Sequence, residues 1–100
     1  MREYSIRAAD GSGWIPIHQT QLREVMLPQG WNAKQVEGWG DFRMEVDRVT
    51  ISFSGEEPGW QVTFEEGEME PARADLLLEQ LRSQIEAASG VPAQVLLITP

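Results

Sequence analysis

His18 is the only histidine of the chain, and imidazole is the one side chain whose ordinary pKa lies close enough to neutrality for routine proton transfer. It stands two residues before Thr20, at the start of a short apolar-periodic stretch, where a lone histidine reads as a surface or capping residue rather than a catalyst. No Gly-x-Ser-x-Gly elbow and no His-Glu-x-x-His helix accompanies it. The Gly11-Ser12-Gly13 turn lacks the Lys-Ser/Thr helix start of a phosphate loop. With one histidine and no cysteine, the donors that zinc and other transition metals prefer are missing, and so are disulfide and thiolate chemistry.

Oxygen donors are plentiful. Glu65-Glu66-Gly67-Glu68-Met69-Glu70 could offer carboxylates to a hard cation such as calcium, but the run does not follow the Asp-x-Asp-x-Asp-Gly spacing with a distant glutamate. Its simpler reading is a solvated acidic loop, in which Glu68 and Glu70, with Asp75 just beyond, complement the positive end of the helix that follows. Nothing in the spacing fixes two carboxylates across a cleft, as glycoside hydrolysis requires. The expectation is therefore no catalytic residue, no metal and no cofactor.

Binding is better represented than catalysis. The chain has four tryptophans, and Trp14, Trp31 and Trp39 fall in turn or loop contexts outside the alternating segments. Tryptophan buries a large area with few rotors, so it serves either as a plug at the end of a small core or as an anchor at an interface. The second feature is charge: 16 acids against 8 bases give a net charge of −8. Glu56, Glu57, Glu65, Glu66, Glu68, Glu70 and Asp75 face only Arg73 over residues 51–75, so the excess is concentrated there. Such a field repels phosphate backbones and anionic lipid and attracts basic partners. Nucleic-acid and membrane-surface binding are set aside on that ground.

The elements that must position these residues follow from periodicity. Leu77, Leu78, Leu81, Ile85 and Ala88 form one stripe at helical spacing, opposite Asp75, Glu79, Arg82, Ser83 and Glu86. With Pro71 in the first turn and Gly90 beyond the last, the spacing predicts a helix over about 71–89. Its stripe must dock on something. Phe42, Met44 and Val46; Val49, Ile51 and Phe53; and Trp60, Val62 and Phe64 alternate with polar residues as three strands wet on one side. The apolar parity switches at Asp47-Arg48, which predicts a reversal pairing Val46 with Val49, Met44 with Ile51 and Phe42 with Phe53. A bulge within one longer strand is the competing reading, since Asp-Arg is not a favoured turn pair. The Gly55 to Gly59 reversal would pair Phe53 with Trp60, Ile51 with Val62 and Val49 with Phe64.

Residues 4–8 alternate as a strand and turn at Asp10-Gly11-Ser12-Gly13 into 14–17, which reads as a second, edge strand because Pro16 cannot donate to a ladder. Thr20 can cap a short helix over 21–26 with Leu22, Val25 and Met26 inside. Residues 29–40 have no period and read as a long loop, allowing at most a helical turn over 33–37. Val95 to Ile98 is apolar on both parities, as in a strand buried on two sides or paired internally. If that strand lies parallel to Trp60–Phe64 in one sheet, the long helix is a crossover.

The result is a single α+β domain over 1–100. Its antiparallel sheet comprises a three-stranded meander over 41–65, an N-terminal hairpin and a C-terminal strand, with one long C-terminal helix packed on one face. The order is β-β-α-β-β-β-α-β. No apolar run approaches the roughly 20 residues of a membrane span, and the start of the chain has no signal-like apolar region, so a cytoplasmic setting is expected. The favoured function is an acidic protein-interaction module, of inhibitor or immunity type, binding a basic protein surface through Glu56, Glu57, Glu66 and Glu68 with a loop tryptophan as anchor. Two others stay open. One is a small-molecule or enzymatic pocket lined by Trp31, Trp39 and His18; the other is a subunit of a homo-oligomer paired through a sheet edge.

Overall fold

The computed structural model describes residues 2–100. In chain order its elements are β1 (Arg2–Ala8), α1 (Leu22–Met26), β2 (Ala33–Gln35), β3 (Phe42–Val46), β4 (Val49–Glu56), β5 (Gly59–Glu66), α2 (Pro71–Ser89) and β6 (Ala93–Thr99), with a single 3-10 turn at Gln19–Gln21. Six strands form one sheet in the order β2-β3-β4-β5-β1-β6, every neighbouring pair antiparallel. The architecture is α+β, with the long helix on one face, as the periodicity requires.

Alternation explains the sheet's two faces. Phe42, Met44, Val46, Val49, Ile51, Phe53, Trp60, Val62 and Phe64 are all buried on the covered face, joined there by Tyr4, Ile6 and Ala8 of β1. From above, α2 delivers Ala74, Leu77, Leu78, Leu81 and Ile85 into one continuous core. Each leucine or isoleucine so buried contributes about 1.5–3 kcal/mol relative to exposure. Ala88, at the end of the same stripe, is exposed instead, in a groove beside Gln21, Glu24 and Val25. Gly90 ends the helix in the left-handed region at φ 75°, its N–H bonded to the Glu86 carbonyl.

The Asp47-Arg48 reversal is a two-residue turn and not a bulge, and the three strand pairs around it are those the parity switch demands. Both turn residues have positive φ, 50° and 69°, the backbone of the turn type whose twist suits a tight hairpin. The second hairpin departs from expectation. Glu56 pairs with Gly59, so the loop is only Glu57-Pro58, and the register slides: Phe53 faces Val62, Ile51 faces Phe64 and Gly55 faces Trp60. The reason is steric. The Trp60 ring lies across Gly55, where a Cβ would come within 2.7 Å of it, so only a residue without a side chain can stand opposite.

Three further expectations are corrected. Residues 14–17 form no strand. Ile15 and Ile17 are buried, but the Ile15 carbonyl accepts the Trp60 indole N–H at 2.7 Å in place of a ladder partner, and the segment is a strap over the sheet's end. Residues 33–35, expected within a loop, are instead a short edge strand on β3. The observed order is thus β-α-β-β-β-β-α-β. Finally, β6 is neither buried on two sides nor internal to the sheet: among the described residues it pairs only with β1, and Leu97 and Ile98 are 53% and 48% exposed. It runs parallel to β5 with β1 between them, so α2 is a crossover spanning one intervening strand.

Candidate functional site

The loop bearing Trp39 shows how the elements display a side chain. Ahead of it, the Val36 N–H donates to the Arg43 carbonyl, and the Arg43 guanidinium donates back through Nη1 to the Glu37 carbonyl at 2.9 Å. Arg43 lies under Gly38, where any Cβ would collide with the guanidinium. Behind it, Gly40 has φ 95° and passes so close to the Phe53 carbonyl that a Cβ would stand 2.8 Å from that oxygen. The Asp41 N–H donates to the same carbonyl at 2.8 Å, and its carboxylate accepts the Gly55 N–H at 2.6 Å. Trp39 is therefore held at the sheet end where β4 turns into β5, and it is 57% exposed. Glu56 and Glu57 occupy that turn and are exposed, with no ion pair among the described residues.

The other two loop tryptophans do different work. Trp14 is half-buried against Trp60, ring centroids 5.8 Å apart, and fills the same end of the core from inside. Trp31 is half-buried at the opposite end, with the Arg73 guanidinium 4.2 Å above its ring centroid. Arg73 also holds Asp47 at 2.8 Å, tying the start of α2 to the β3-β4 turn. Glu66 and Glu68 are exposed at this second end. Strand β5 separates the two groups by roughly 23 Å. Of the seven residues expected to bind, Trp39, Glu56 and Glu57 share one end of the sheet in the open, Trp14 lies beneath them, and Trp31, Glu66 and Glu68 are elsewhere.

Arg43 is the residue that pattern reading missed. Besides pinning the loop, its Nη2 bonds Glu65 at 2.9 Å across β4 on the uncovered face, and the pair closes over Ser52, which is 1% exposed. Arg43 Nε, Ser52 Oγ and Glu65 Oε1 are buried there with no hydrogen-bond partner among the described residues. Strand alternation puts Arg43 and Ser52 opposite each other on the polar face, which is the signal available beforehand.

His18 is exposed, and its Nδ1 accepts the Thr20 N–H at 3.2 Å, capping the 3-10 turn at Gln19–Gln21. The cap of this region is thus His18 and not Thr20. An open groove of about 790 Å³ runs beside β2 and is lined by Arg23, Lys34, Glu37, Asp41 and Arg43 among others. His18, Trp31 and Trp39 are not in its lining. Among the described residues no three His, Cys, Asp or Glu side chains group so as to hold a metal ion, and no helix is long and apolar enough to cross a membrane. Compared with protein-family models, curated proteins and solved structures, the chain matches none.

Proposed function

We propose that this chain is a non-enzymatic protein-interaction module whose partner presents basic side chains. The observation that carries the reading is the pinned, exposed Trp39 at the same sheet end as the unpaired carboxylates of Glu56 and Glu57. An aromatic anchor on a preorganised loop loses little entropy on binding, and neighbouring carboxylates select lysine and arginine while speeding encounter. A partner that itself binds phosphate, such as a nuclease, carries the matching charges, and covering them would inhibit it. Glu66 and Glu68 contribute to the long-range field from the far end without touching the same surface.

The test is capture of partners on the immobilised chain, with affinity then measured against ionic strength for the wild type, Trp39→Ala and the double variant Glu56→Lys/Glu57→Lys. Binding should weaken steeply with salt and fall by about tenfold or more in each variant. Affinity indifferent to salt, or unchanged in both variants, defeats the proposal.

A further inference from the structure

The sheet has two edges, and they are managed differently. At one side β2 is only three residues long, and Lys34 is charged. At the other, β6 runs for seven residues, Ala93–Thr99, with no charge and no internal proline, and leaves Leu97 and Ile98 exposed. Long, apolar, unguarded edges invite another strand.

Hydrogen bonding shows which groups are available. The Ala9 N–H donates to the Pro92 carbonyl at 2.8 Å, which fixes the alternation of the β1-β6 ladder. Gln94 and Leu96 then bond inward to β1, while Ala93, Val95 and Leu97 turn their N–H and C=O groups outward. Consistent with this, the Ala93 N–H is taken by the Glu86 carboxylate at 2.9 Å. The outward groups of Val95 and Leu97 have no such guard among the described residues.

Beside this edge lies the flank of α2 that carries Asp75, Glu79, Arg82 and Glu86. Tyr4, Asp75, Leu78, Glu79, Val95 and Leu97 line a groove of about 270 Å³ between helix and strand. Arg82 holds Glu79 at 2.6 Å and Glu86 at 3.1 Å, leaving Asp75 without an ion pair among the described residues and the flank net negative.

We propose that β6 accepts an extended segment of another protein as a seventh strand, with Lys or Arg at alternate positions facing Asp75 and Glu79 and apolar side chains beside Leu96 and Ile98. Charge decides against a second copy as the occupant. Two-fold antiparallel pairing of β6 would bring two negative α2 flanks together within chains that each carry −8. This surface is separate from the Trp39 end, and the proposal does not depend on that one.

The probe is a capped octapeptide alternating lysine and valine, titrated into the full chain at low salt, with alternating glutamate and valine as its control. Binding of the lysine peptide alone is expected, with amide exchange at Val95 and Leu97 slowed tenfold or more at saturation. N-methylation of one alternate set of peptide amides should abolish binding and methylation of the other set should leave it. Asp75→Lys, an exposed change that spares the fold, should weaken binding about five-fold. Three results overturn the proposal: no binding of the lysine peptide, equal effects of the two methylation patterns, or a dimer in sedimentation whose Val95 and Leu97 amides are already protected without peptide.

Discussion

Replacing Arg48 with glycine should stabilise this protein, although it removes one of only eight basic residues from a chain with net charge −8. Arg48 has φ 69°, and its neighbour Asp47 has φ 50°, so two consecutive non-glycine residues occupy the left-handed region in the β3-β4 turn. Each such residue costs about 1–2 kcal/mol in Cβ crowding, whereas glycine incurs only its extra loss of unfolded-chain freedom, about 0.5–1 kcal/mol. The difference for Arg48→Gly is a gain of about 0.5–1 kcal/mol, or a rise in Tm of about 3–6 °C for a domain of this size. Asp47 is left in place because its carboxylate holds Arg73. Urea unfolding followed by tryptophan fluorescence, with thermal melts alongside, reads the effect. Arg48→Ala is the control: it deletes the same charge and keeps the crowding, so it should give no gain. If alanine stabilises as much as glycine, or glycine does not stabilise at all, the strain argument is wrong.

Gly55→Ala should destabilise by about 1–3 kcal/mol in the same unfolding assay, because the new Cβ would press on the Trp60 ring at 2.7 Å in a packed core. Gln84→Ala should cost about 2 kcal/mol: its amide donates to the Val25 and Leu27 carbonyls and accepts the Gln29 N–H, closing the end of α1 onto α2. Glu79 is held below the usual carboxylate range by its hydrogen bond from Arg82, so its stabilising effect is complete above the unfolded pKa and disappears as pH falls through the folded one. Being largely exposed, it is worth only about 0.3–0.5 kcal/mol, and the stability gap between wild type and Glu79→Gln should close on acidification from pH 6 to pH 3.

Strong periods survived the passage from sequence to structure. The leucine stripe of α2, the three alternating strands and the parity switch at Asp47-Arg48 rest on contacts between residues of the same kind at fixed spacing, and all are seen. Short or irregular pieces were illegible for identifiable reasons. A three-residue strand such as β2 has too few positions to show a period. The 14–17 segment looks extended by composition, yet its carbonyl partner is an indole far along the chain. The run Val95 to Ile98 reads as doubly buried because apolarity marks what a strand would cover, and it cannot tell a core from an uncovered edge. For the candidate site, the residue types were evident, but their grouping depended on Arg43 reaching Glu37 and Asp41 reaching Gly55. Those bonds tie the loop of Trp39 to the end of the sheet where Glu56 and Glu57 lie, while Trp31, Glu66 and Glu68 are at the far end.

The position of β1 carries a kinetic implication. Tyr4 sits opposite Val62 on one side and Leu97 on the other, so this strand finds its neighbours only after long closures of the chain. Such late zippering slows folding relative to a helical chain of equal length: the meander's β5 flank stays exposed until β1 docks on it, and β1 keeps an open side until the crossover helix has delivered β6. Mutual repulsion between chains that each carry −8 keeps partly folded copies apart, which gives that charge a use during folding.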